Sequence, residues 1–213
     1  MSLLASLVWR VQRLLSIIAV LSLVTARGEA AVLSELQNCG PGCTVQNITI
    51  TGDIDRATYE QFLQALAAPR PESETVYFAP QVRLNSPGGS AEMAMAIGEK
   101  LREANLTTVV SQGDRCEGAC VLILAAGVIR VAVYGAVGID KPTPEERVSG
   151  PAPVSTSVRQ YLNRMGISNR LYGDMERVSS GDVRFLSASE LREYRLTGAD
   201  PAWMNAQSLN SRN

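Results

Sequence analysis

The chain has 213 residues, 46% hydrophobic and 19% charged, with a formal net charge of −1. That balance excludes a disordered chain, four cysteines are too few for a disulfide scaffold, and 20 basic residues against 21 acidic ones, with no basic run, offer nothing to a nucleic-acid backbone. Histidine is absent, so Ser-His-Asp catalysis, Cys-His catalysis and His-ligated metal sites lie beyond the chain's own side chains, and lysine chemistry is limited to Lys100 and Lys141.

Arg10 and Arg13 precede an uncharged apolar run over residues 14–24, followed by small residues. This pattern predicts a secretory signal peptide over 1–26, with cleavage as late as residue 30. The run is too short to span a bilayer, so a membrane is expected only if the leader stays attached. Removing the leader's two arginines leaves a net charge of −3. The expected destination is secreted or periplasmic, an oxidising place that suits disulfides.

A short Cys-containing stretch comes next. Residues 45–52 alternate and are rich in β-branched side chains, which predicts a strand. Residues 58–68 have helical spacing, with Tyr59, Phe62, Leu63 and Leu66 on one face. A polar loop follows over 69–74. Residues 76–85 predict one or two strands broken at Pro80. The turn Ser86-Pro87-Gly88-Gly89 then opens a helix over 91–105 with the stripe Met93, Ile97, Leu101 and Ala104. A strand is expected over 106–111, an apolar helix over 118–126, and strands over 129–133 and 136–139. Residues 141–153 hold four prolines and read as a loop. Helices are expected over 155–165, 168–178 and 187–195, and a polar tail over 204–213. Strands alternating with helices predict a single α/β domain with mostly parallel strands, over residues 32–203.

The segment from Val82 to Pro142 contains Asn85-Ser86-Pro87-Gly88-Gly89, then Cys116-Glu117-Gly118-Ala119-Cys120, then Ala125-Ala126-Gly127, then Ile139-Asp140-Lys141-Pro142. In this order and spacing it resembles the Clp-protease proteolytic subunits of the ClpP/crotonase superfamily, and more closely their secreted relatives, over roughly residues 46–200. The resemblance implies a spiral of ββα units. It also implies a cleft in which backbone amides at Gly88, Gly89 and Ala119 face a substrate carbonyl. Members of this fold form rings and trimers, so a homo-oligomer is a further expectation.

The catalytic positions depart from the family. The nucleophilic serine stands nine residues before the glycine of the Ala-Ala-Gly run, which here is Gly118. The histidine position is Asp140. The third member falls on Val183, with Asp182 one step away. Serine peptidase chemistry is therefore expected to be lost, leaving a non-catalytic protein that binds a peptide or partner protein and needs no cofactor or metal. The competing reading is a hydrolase using a Ser-Lys pair at Lys141, with Ser90 and Ser111 as the nearby hydroxyls, or carboxylate chemistry from Glu117 and Asp140. Glycine at 118 predicts a pocket roomier at its floor, and Asp140 predicts an acidic one.

Four cysteines allow three pairings. Cys39–Cys43 and Cys116–Cys120 are favoured because each is local. Zinc is disfavoured, since both spacings are wider than C-x-x-C and no histidine is present.

Overall fold

The computed structural model describes residues 30–40, 43–68, 81–142 and 154–210. The expected leader, the 69–74 loop and most of the proline-rich loop after Lys141 fall outside these residues. So do the side chains of Cys39 and Cys43, and with them that pairing.

One sheet holds six strands in the order β1 (Ala31–Gly40), β2 (Cys43–Thr51), β3 (Gln81–Asn85), β4 (Thr107–Val110), β6 (Ile129–Ala132), β9 (Gly198–Ala199). The four central strands run parallel, while β1 and β9 close the two edges antiparallel. A second sheet has three strands: β5 (Cys116–Glu117), β7 (Val137–Ile139) and β8 (Arg184–Phe185). The chain is thus one mixed α/β domain with parallel and antiparallel pairing. Strand β3 alternates strictly: Val82 and Leu84 are buried while Gln81, Arg83 and Asn85 are exposed, so the sheet buries one face.

The crossover elements are α1 (Arg56–Ala67), α2 (Ala91–Glu103) and α3 (Cys120–Ala126), and each start has a local cause. Asp55 accepts from the Thr58 amide while the Thr58 hydroxyl accepts from Asp55, a reciprocal cap for α1. Ser90 Oγ accepts from the Met93 amide and caps α2. All seven residues of α3 are buried, as its uninterrupted apolar run demands. Helix α2 packs on α3 through Gly98, where a Cβ would come within 3.0 Å of Ala126 Cβ, and within 1.8 Å of the Tyr161 hydroxyl from a later helix. That hydroxyl donates to the Leu122 carbonyl at 2.9 Å. Helices α4 (Val154–Arg164), α5 (Asn169–Arg177) and α6 (Ala188–Glu193) complete the covering layer.

Several expectations need correction. The 204–213 stretch is not simply a tail: α7 covers Pro201–Asn210, although residues 204–209 are exposed as a polar end would be. Strand β1 has no counterpart in the sequence reading. The buried face of α1 is Thr58, Phe62 and Ala65; Tyr59, Leu63 and Leu66 are only partly buried. Arg130, in the middle of β6, is 1% exposed. It donates to the Met165 and Arg195 carbonyls and to Asp200, which also takes Arg102.

Candidate functional site

Three turns meet at one end of the parallel sheet. The first follows β3. Ser86 is 1% exposed, and its backbone bonds both ways across to the second turn: its amide donates to the Arg115 carbonyl at 2.7 Å and its carbonyl accepts from Glu117 at 3.0 Å. Ser86 Oγ accepts from the Gly88 amide at 3.1 Å, which tightens the turn. Gly88 and Gly89 have φ of 110° and 130°. A Cβ on Gly88 would lie 2.9 Å from the Glu117 carbonyl oxygen, and one on Gly89 2.4 Å from that of Ile54. Only glycine fits either place.

The second turn joins β5 to α3 and carries Gly118, with φ of 53°, and Ala119. Cys116 and Cys120 form a disulfide across it, with Cα atoms 5.2 Å apart. Only Cys120 is helical; Cys116 opens β5, so the four-residue spacing needs no helical distortion. The expected Cys116–Cys120 pair is present, and both residues are fully buried.

The third turn follows β7 and delivers Asp140. An ideal Cβ on Gly118 would sit 2.7 Å from Asp140 Oδ2 and 3.2 Å from its Cγ. The carboxylate therefore stands where a side chain at 118 would have to go. Burial raises the Asp140 carboxyl above its ordinary pKa; its own backbone amide opposes the shift and the negative charge of Glu117 adds to it. Among the described residues the Asp140 carboxylate accepts no side-chain hydrogen bond.

Together these turns enclose a cavity of about 60 Å³ lined by Gly89, Gly118, Ala119, Asp140 and Lys141, with Leu122, Val158 and Met175 as its apolar wall. The expectation of a roomy floor fails, because the Asp140 carboxylate fills the space that glycine opens. Its charged lining residues are one carboxylate, Asp140, and one cation, Lys141, where the sequence predicted an acidic pocket. The Gly89 and Ala119 amides donate to no acceptor among the described residues. Ile54 bonds to the Gly88 carbonyl and the Ser90 amide, which turns the Gly89 N–H away from Ile54.

The other sequence candidates separate. Asp182 is exposed and lines a different groove with Asp174, Arg177 and Arg184. Val183 packs over Gly138, where a Cβ would fall 2.5 Å from its Cγ1. Strand pairing sets Ile139 opposite Arg184 and so brings Val183 next to Asp140. Glu117 reaches Arg115 at 3.5 Å. Lys141 is exposed at the cavity wall and makes no ion pair with the described residues. Ser90 is spent as a helix cap, and Ser111 bonds Asp114 through its backbone. No described residue lining the cavity carries a hydroxyl or a free thiol. The apolar wall escaped the sequence reading because Val158 and Met175 look like ordinary helix core positions.

The arrangement is that of a protease-like fold with a cavity whose described lining holds no hydroxyl or free thiol. Solved structures that match the chain include a serine-to-alanine mutant of the 1510-N membrane-bound stomatin-specific protease, with a TM-score of 0.52 and 20% identity over 70% of this chain and 75% of that one. At that identity the likeness is one of fold. No family model matches the chain, and no curated protein matches it.

Proposed function

We propose that this chain is a non-catalytic member of the ClpP/crotonase superfamily, exported from the cytoplasm, that binds a peptide or partner protein at the cavity between Gly89, Gly118 and Asp140. The observation that carries the reading is the mutual fit of Gly118 and Asp140: a carboxylate occupies the space a side chain at 118 would need, at the position the resemblance assigns to the nucleophile. The protease-like fold neighbour supports the superfamily. The buried Cys116–Cys120 disulfide suits an oxidising compartment. No helix among the described residues is long and apolar enough to cross a membrane. The test is incubation of the purified protein with casein, fluorogenic peptides and a fluorophosphonate probe. The expected result is neither cleavage nor labelling; turnover that survives purification and vanishes in Lys141→Ala overturns the reading.

A second reading, acid–base chemistry by Asp140 on an acyl group held by the two amides, is favoured by the upward shift of that carboxyl. Turnover abolished by Asp140→Asn and untouched by Lys141→Ala would select it.

A further inference from the structure

The cavity offers donors and an acceptor in one small space. The Gly89 and Ala119 amides have no protein acceptor among the described residues, and Asp140 holds a carboxylate with no side-chain donor over Gly118. Resting on the binding reading above, we propose that the cavity recognises a primary carboxamide, the side chain of an asparagine or glutamine presented by the partner.

The chemistry selects this group over others. Its oxygen accepts from the two amides while its NH₂ donates to the Asp140 carboxylate, so every orphaned polar group is satisfied at once. A carboxylate guest would bring a like charge against Asp140, with Lys141 at the cavity wall to offset it in part. An ammonium would pair with Asp140 but offer the two amides no acceptor. A hydroxyl puts donor and acceptor on one atom. The space of about 60 Å³ exceeds the roughly 10–15 Å³ that a single water needs, so it has room for a planar amide group. The apolar wall of Leu122, Val158 and Met175 suits the methylenes behind the amide.

Titration of the ¹⁵N-labelled protein, followed by NMR, tests this with two matched probes, N-acetylglutamine methylamide and N-acetylglutamate methylamide. The expected result is saturable shifts of the Gly89 and Ala119 amide signals with the glutamine probe, at least tenfold weaker shifts with the glutamate probe, and at least tenfold loss of glutamine-probe affinity in Asp140→Ala. Equal response to the two probes, no response at Gly89 and Ala119, or undiminished affinity in Asp140→Ala overturns the proposal. The probe contrast on the unaltered chain holds even if the variant does not fold. None of these outcomes depends on turnover, so the peptidase assay separately decides the binding reading.

Discussion

Two aspartates sit in this fold under opposite conditions. Asp200 is 2% exposed, yet its oxygens take the Arg102 guanidinium at 2.7 Å, Arg130 at 3.1 Å and the α7 amides of Ala202 and Trp203 at 2.8 and 3.3 Å. Burial pushes its carboxyl up, but these donors outweigh burial and hold it below the ordinary range. Asp140 is less buried, lacks such donors, and is shifted upward. The same residue type thus welds β9, α7 and the sheet at one place and, at the other, stands at a cavity wall with its own backbone amide as donor. Buried polar groups are normally paired. At the cavity the Asp140 carboxylate and the Gly89 and Ala119 amides have no side-chain or main-chain partner from another described residue, which is the observation on which the binding proposal rests.

Removing the welded aspartate should have the largest effect. Asp200→Ala leaves Arg130 buried without its counter-ion, and Arg130 is already pushed down to about 10, by burial first and by Arg102 second. Loss of one partner of a buried pair costs about 3–5 kcal/mol, so urea unfolding at neutral pH should show a drop of that size. In the unaltered chain, the stability Asp200 contributes is present above the ordinary aspartate pKa of 3.8 and is lost as pH falls through its lower folded value. A drop under about 1 kcal/mol would erase the contrast between the two sites.

The disulfide comes next. Cys116→Ser with Cys120→Ser opens a loop of very few residues, worth about 2 kcal/mol by loop entropy. Because the loop carries Gly118 and Ala119, the double variant should also broaden the NMR signals of those residues. Sharp, unmoved signals would show that β5 and α3 hold the turn without the bridge.

How much of this could be read beforehand follows from what carries a local signal. The strand–turn–helix from Val82 to Asn105 was legible because alternation, a Pro-Gly-Gly turn and a helical stripe follow one another without conflict. The Gly118–Asp140 relation was legible in part: the resemblance paired the positions, but only packing reveals that the carboxylate fills the glycine's space. Strand β1 left no alternating pattern because Leu33 and Leu36, 55% and 59% exposed, break the inward–outward rule on an edge strand. The helix α7 was hidden because its start depends on Asp200, itself fixed by arginines 70 and 98 residues away. Asp182 was drawn in by sequence nearness alone, and the turn over 179–182 leaves it exposed in another groove.

Gly118→Ala sharpens the comparison from the cavity side. The backbone at 118 has φ of 53°, where a non-glycine residue costs about 1–2 kcal/mol, and the new Cβ meets Asp140 Oδ2. The conformational cost should persist in Gly118→Ala/Asp140→Ala, while the steric part should vanish. Thermal unfolding of the two single variants and the double variant should therefore give a non-zero coupling. Strict additivity would mean the carboxylate swings away at no cost and does not belong over Gly118.

The smallest expected effect carries the opposite sign. Asp140 is shifted upward in the fold, so between the ordinary aspartate pKa of 3.8 and its higher folded value the native state binds more protons than the unfolded one. Stability contributed at this site therefore falls as pH rises through that window, and at neutral pH the ionised carboxylate burdens the fold. Asp140→Asn keeps the shape and removes the charge beside Glu117, so it should stabilise the protein at pH 7, by about 0.5–1 kcal/mol. The advantage should shrink as pH falls toward the ordinary aspartate range, because the unaltered side chain is then neutral as well. Asp200→Asn should do the reverse, destabilising most at neutral pH and least in acid. Paired denaturation curves at pH 7 and pH 4 measure both differences. A variant at 140 that is less stable than the parent at pH 7 would mean the carboxylate is held by partners after all, and the cavity would then lose its claim to be waiting for a ligand.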